Sequence, residues 1–325
     1  MVYNILFMIV GLALLIKGAD LLVKGATEIA KRFNISEMLI GIIIIGLGTS
    51  LPEIIITINS SISGHPDLII GNAFGSCVCN LLLVIGIASI CSPLKIDERL
   101  LKFHLPLSLF ATVIISIVTN FGERYEISRI EGAVLLLITF IYLIYTCVEG
   151  KVENLENQRA LNKEFSSKES KKRLSLITIM IHIVIGCIGL KYGADFVVDS
   201  ASNIARDFKI SESLISLTII AVGTALPEIV TSIVAALKRD PDLAMGNVIG
   251  SNIFNLILLP SLGAVINPLK YDTEFNITIL FIFLIILYMM LSERVKRHKG
   301  LITRKKGIML VIIYLFYILR MIIIN

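Results

Sequence analysis

Residues 48–53 read GTSLPE and residues 223–228 read GTALPE. The same displacement brings HPDLIIGNAFGS at 65–76 onto DPDLAMGNVIGS at 240–251, and Pro93-Leu94-Lys95 onto Pro268-Leu269-Lys270. A slide of 175 residues superimposes windows 17–95 and 192–270 without a gap, with 35 of 79 positions identical. Agreement over so long a window marks an internal duplication.

Composition says what medium the duplicated unit occupies. Of 325 residues, 56% are hydrophobic and 17% charged, with a mean hydropathy of +0.87. Soluble domains carry about 25% charged residues. The charges cluster at 95–102, 149–173 and 293–306. Between them lie apolar runs of the roughly 20 residues that a helix needs to cross about 30 Å of hydrocarbon. Ten spans are expected, near 2–30, 35–62, 67–91, 100–119, 128–148, 174–204, 210–237, 242–266, 275–292 and 307–323. The first apolar run has no basic region before it and no small-residue cleavage site after it, so it reads as a permanent span.

Ten spans place both termini on one face. Of the lysines and arginines, 21 lie in loops that follow odd-numbered spans and 6 on the opposite face. The positive-inside bias makes the first face cytoplasmic and both termini extracellular. The net charge of +5 therefore reports topology and not nucleic-acid binding. The displacement of 175 residues holds an odd number of spans, so the second copy enters the bilayer upside down, a transporter architecture with its site where the copies meet. The expected fold is an all-α polytopic membrane protein, ten helices in two inverted five-helix repeats. Residues 1–148 form the first repeat, 149–173 a cytoplasmic linker and 174–325 the second.

Glu53 and Glu228 each fall mid-span in an otherwise uncharged stretch. An ionised carboxylate at that depth costs ~2.5 to over 10 kcal/mol unless a cation compensates it. Pro52 and Pro227 interrupt the same helices, and broken helices at membrane depth line cavities or lie buried in protein. Each copy thus offers a carboxylate, hydroxyls (Thr49 and Ser50; Thr224) and carbonyls near Gly46 and Ala221. These are hard oxygen ligands, suited to Ca2+ or Na+. The next span of each copy adds a polar stripe at four-residue spacing, Asn72-Ser76-Asn80 and Asn247-Ser251-Asn255, on one helix face.

Other polar residues carry structural readings. Lys17, Asp20 and Lys24, with Lys191, Asp195 and Asp199, lie toward span ends, where snorkelling or local ion pairing suffices. The five cysteines occupy apolar stretches without a metal-ligand spacing, and His104 and His182 read as satisfied core residues. There is no HExxH and no serine or cysteine nucleophile with an evident histidine partner, so an enzyme is not expected.

GTSLPE/GTALPE, each followed by GN-x-x-GS-x-x-x-N, resembles the repeats of the sodium/calcium exchanger family, within the wider calcium:cation antiporter superfamily, in its prokaryotic form. The resemblance covers the whole ten-span layout. It implies alternating access, with Ca2+ held by Glu53 and Glu228. Na+ would use the same cluster with Thr49, Ser50, Ser76 and Asn80 from the first repeat and Thr224, Ser251 and Asn255 from the second. Spans 1 and 6 resemble the long tilted helices that slide to open either face. Ala225 and Asn255 depart from the serine and aspartate that prokaryotic members often carry. With two carboxylates the calcium-loaded site is near neutral, and a third sodium ion would leave the sodium-loaded site at +1.

The expectation is a Ca2+/Na+ antiporter of the plasma membrane, acting as a monomer in the lipid bilayer, without a cofactor beyond its transported ions. The alternative is a Ca2+/H+ antiporter that uses the same two glutamates. A channel would need a continuous pore and no counter-ion. The 149–173 linker is too short for a separate calcium-sensing domain.

Overall fold

The structure is a computed structural model and describes residues 1–121, 125–161, 174–210, 215, 219, 221–295 and 301–324. Its helices are α1 (Val2–Phe33), α2 (Glu37–Thr49), α3 (Leu51–Ile62), α4 (Pro66–Cys91), α5 (Leu100–Asn120), α6 (Arg129–Leu161), α7 (Leu176–Asp207), α8 (Leu226–Leu237), α9 (Pro241–Ile266), α10 (Phe275–Val295) and α11 (Arg304–Ile324). Four short strands join the loops. β1 (Leu94–Lys95) pairs with β4 (Leu301–Ile302), and β2 (Glu126–Ile127) pairs with β3 (Leu269–Lys270), both antiparallel.

Among the described residues six helices are long and apolar enough to cross a membrane: α1, α4, α5, α6, α7 and α9. The pair α2 and α3, bent by 47° at Ser50, makes a seventh. α8 and the Phe275–Leu291 part of α10 are shorter apolar helices. The chain is a multi-pass helical membrane protein. Of span 7, expected over 210–237, residues 211–214, 216–218 and 220 lie outside the described residues.

Local chemistry explains the breaks. Pro52 and Pro227 each sit in the first turn of their helix, where the missing N–H costs nothing, while their rings bar the preceding turn from continuing the same axis. The break residues Ser50 (φ −80°, ψ 6°) and Ala225 (φ −89°, ψ 0°) share one backbone state. Left-handed residues recur at the same displacement: Asn34 (φ 58°) with Lys209 (φ 59°), and Gly64 (φ 75°) with Arg239 (φ 63°).

Burial sorts the helices into a centre and a rim. In α4 and α9 the apolar window is 78% buried, against 22–33% in α1, α5, α6 and α7. α2, α3 and α8 lie against this central pair, and α1 crosses antiparallel to α7. The α1–α7 crossing is close because glycines meet there; a Cβ on Gly18 would stand 2.8 Å from the Gly186 carbonyl oxygen. Small residues at such a crossing let two backbones approach in lipid.

Candidate cation site

Glu53 lies in the first turn of α3 and Glu228 in the first turn of α8. The positive ends of two helix dipoles thus meet two carboxylates. Both glutamates are fully buried, as are Thr49, Ser50, Ser251 and Asn255, with Asn80 and Ser76 nearly so. Asn80 opens a wide π turn over Asn80–Val84, and Asn255 lies within another over Phe254–Leu258. π turns of this kind are frequent at functional sites.

One side of the cluster is tied together by hydrogen bonds. The Thr49 hydroxyl donates to Asn247 Oδ1 (3.0 Å) and lies 3.4 Å from Ser251 Oγ. Asn247 Nδ2 donates to Ser232 Oγ (2.9 Å) and to the Glu228 carbonyl (3.4 Å). Ser50 Oγ reaches Glu228 Oε1 at 3.5 Å. These bonds join α2 of the first copy to α8 and α9 of the second.

Several further polar atoms of the expected site residues are buried without partners. Both carboxylate oxygens of Glu53, Oε2 of Glu228 and both amide atoms of Asn80 and of Asn255 make no hydrogen bond. An orphaned buried polar atom costs about 1–3 kcal/mol, and a charged one more. Five of these seven atoms are oxygens, on Glu53, Glu228, Asn80 and Asn255, the kind of donor that a hard cation would satisfy. Among the described residues no three His, Cys, Asp or Glu side chains converge. The donors that surround the two carboxylates are amides and hydroxyls, in keeping with a hard ion.

The two expected carbonyls differ. The Gly46 carbonyl accepts from Ser50 N–H (3.1 Å), Thr49 Oγ1 (3.4 Å) and Ser251 Oγ (3.3 Å), so the proline downstream has not freed it. In the second copy the Ala225 N–H bonds Val222 (3.1 Å), which takes that donor away from Ala221. Thr224 is half-buried and lines a cavity of about 400 Å³ whose described walls also include Asn72, Ser76, Asp67, Tyr314 and Tyr317. The cavity reaches the cluster through Ser76 and Thr224 and lies toward the face that holds β2 and β3.

Sequence reasoning had Asn247 in its polar stripe but not in the ligand set, and it missed Ser232 and Thr57. Both hydroxyls sit one helical turn beyond a site glutamate, a four-residue spacing that was available as a signal. Asn252, fully buried with neither amide atom bonded, was missed as well. Elsewhere, His104 is buried, with Nδ1 3.3 Å from the Tyr142 hydroxyl. His182 is half-buried with Nδ1 unpartnered, so it is not a satisfied core residue. Cys77 and Cys79 are core residues, whereas Cys147 is exposed.

The chain matches the family described as sodium/calcium exchanger protein over residues 3–148 and 178–323. It is 30% identical to the sodium/calcium exchanger MaX1 of Methanosarcina acetivorans, covering 97% of this chain and 99% of that protein. It is 31% identical to the inner membrane protein YrbG of Escherichia coli, with 84% of each covered. Among solved structures it resembles the sodium-calcium exchanger NCX_Mj with a TM-score of 0.81 at 31% identity, covering 98% of this chain and 99% of that one. This chain belongs to the sodium/calcium exchanger family, whose members are membrane transporters and not enzymes.

Proposed function

We propose that the protein exchanges Ca2+ for Na+ across the plasma membrane by alternating access at the cluster around Glu53 and Glu228. The observation that carries this is the set of buried, unpartnered oxygens on Glu53, Glu228, Asn80 and Asn255. Two carboxylates balance one Ca2+. Thr49, Ser50, Ser76, Thr224 and Ser251, with the Ala221 carbonyl, supply further oxygens for Ca2+ or for Na+ in turn; the Gly46 carbonyl joins them only on release of the Thr49 and Ser251 hydroxyls that occupy it here. The similarity to MaX1 and NCX_Mj, both sodium/calcium exchangers, supports the choice of ions.

The site is built at the meeting of two inverted five-helix repeats, residues 1–148 and 174–325, joined by the 149–173 linker. Support comes from the repeated breaks and left-handed residues, and from a family match that falls in two blocks displaced by 175 residues. In this reading ten spans cross the bilayer, both termini are extracellular, and one chain holds a complete site and works as a monomer. The cavity at Asn72, Ser76 and Thr224 then opens outward.

The test is calcium uptake into proteoliposomes loaded with sodium, with potassium, or buffered acid inside. Uptake that requires internal sodium supports the proposal. Uptake driven equally well by an acid interior moves the assignment to Ca2+/H+ exchange. Asn255 and Ala225 make that the second reading, because each removes an oxygen donor from the expected sodium set.

A further inference from the structure

The internal repeat supplies a control for every contact at the site, because each residue of one copy has a counterpart 175 positions away. Asn247 corresponds to Asn72, Ser232 to Thr57, and Glu228 to Glu53. In the second copy Asn247 Nδ2 donates to Ser232 Oγ at 2.9 Å and to the Glu228 carbonyl at 3.4 Å. In the first copy the same two positions make no such bond: Asn72 Nδ2 and Thr57 Oγ1 are buried with no hydrogen-bond partner. One clamp is closed and its counterpart is open.

Packing around the clamps differs in the same sense. Beside Asn247, α9 lies backbone to backbone on α2. A Cβ on Gly250 would stand 2.6 Å from the Ile42 carbonyl oxygen, and one on Gly246 would collide with the Met38 carbonyl. Beside Asn72 the counterparts of Met38 and Ile42, residues 213 and 217, lie outside the described residues. Gly71, Asn72 and Gly75 line the 400 Å³ cavity. The closed clamp thus sits where α9 packs on α2, and the open clamp lines the cavity.

We infer that the two amide–hydroxyl pairs, Asn247–Ser232 and Asn72–Thr57, are alternating clamps: each is closed only while the site is open to the other copy's side, and the two exchange states in the transport cycle. These are positioning residues, because they act through the backbone of the glutamate segments and not on the ion. Asn247 holds the Glu228 carbonyl directly and, through Oδ1, holds Thr49. A buried amide and hydroxyl left unpaired in one state and paired in the other bias a two-state equilibrium by the worth of the bond. The inference rests on the alternating-access reading given above.

The test uses the ratio of half-saturating calcium concentrations at the two faces, measured on right-side-out and inside-out vesicles. Apparent affinity at a face scales with the fraction of protein open to it, so a change in the intrinsic affinity of the site cancels in the ratio. Ser232→Ala removes the bond of the state described here. It is expected to raise the half-saturating concentration at the cavity face relative to the other by about fivefold, the weight of one typical hydrogen bond. Thr57→Val removes the partner bond of the opposite state and is expected to shift the ratio about fivefold the other way. Thr57→Ser, which keeps the hydroxyl, restores the wild-type ratio, and the Ser232→Ala/Thr57→Val pair lies near it. Opposite signs for the two single variants cannot come from general damage to packing. Shifts of the same sign, or no shift in either variant, overturn the clamps while leaving exchange intact. A wild type without calcium flux under any counter-ion overturns the exchanger reading, and the clamps with it.

Discussion

Lys238 Nζ lies 2.7 Å from Asp20 Oδ1 and donates to the Asp20 backbone carbonyl at 3.2 Å, tying the turn after α8 to the middle of α1. At the corresponding positions of the other copy the tie is absent. Asp195 pairs with Lys191 on its own helix at 2.6 Å, and Ser63 stands where Lys238 would be. The face read as cytoplasmic is therefore tied by a 2.7 Å ion pair across the two copies, whereas the opposite face has, among the described residues, the longer contact of the Met1 amino group with Asp207 at 3.8 Å. Lys238 and Asp20 are 37% and 49% exposed at the side chain, so the pair is a weak latch, worth about 0.2–1 kcal/mol.

Asp20→Asn is expected to change the rate of calcium uptake by less than about fivefold at low ionic strength. The difference from wild type should shrink as salt is raised, because the lost pair is partly exposed and screened. Uptake by wild type and variant, measured in low and high salt with an impermeant electrolyte, checks this. A defect that persists unchanged in high salt would assign Asp20 to the site itself.

Ala225 is 1% exposed and stands where the first copy carries Ser50, whose hydroxyl reaches Glu228 at 3.5 Å. Ala225→Ser restores one oxygen donor with little added volume. The sodium concentration that half-maximally drives calcium uptake is expected to fall about fivefold, the weight of one hydrogen-bond-sized interaction. A sodium titration of uptake checks it, and an unchanged midpoint would show that position 225 does not face the ion.

A third sodium ion would make transport electrogenic: exchange of three Na+ for one Ca2+ moves one net charge per cycle, whereas two Na+, like one Ca2+, would balance the two carboxylates and move none. A potential of 100 mV is worth about 2.3 kcal/mol per charge, which is roughly fiftyfold in the equilibrium calcium ratio. Calcium accumulation at clamped potentials tests this directly, and a ratio independent of potential would indicate a two-for-one exchange.

Backbone contact between α2 and α9 sets a stability prediction. Gly250→Ala places a methyl 2.6 Å from the Ile42 carbonyl oxygen in a region with no room to yield. Overpacking of this kind costs about 1–3 kcal/mol, so the melting temperature of the purified protein should drop by several degrees.

Much of this was legible in the sequence, and the reason is chemical. A carboxylate in the middle of an apolar run has few explanations, and two at one displacement have fewer. Glu53, Glu228 and the prolines beside them therefore pointed to the site, the breaks and the repeat together. The amide stripe was legible from its four-residue period, which brought Asn80 and Asn255 into the cluster. What escaped is what depends on conformational state. Both copies spell the same clamp, GN on one helix and a hydroxyl one turn beyond the glutamate, yet Asn247 is bonded and Asn72 is not. No sequence pattern distinguishes them; in the reading proposed above, the difference belongs to which face is open. The Gly46 carbonyl escaped for a related reason. Proline removes a donor from its own position, but Ser50, Thr49 and Ser251 are still present to occupy the oxygen.

The most direct test of the central claim is sodium-driven calcium uptake into proteoliposomes carrying wild type, Glu53→Gln or Glu228→Gln. Glutamine keeps the size of each side chain and removes its charge, so folding is preserved while the buried carboxylate is lost. Uptake is expected to fall at least about tenfold in either variant, since interactions with a charged partner are worth roughly 1.5–3 kcal/mol each. Uptake at the wild-type rate in either variant would contradict a transported ion held between these two glutamates.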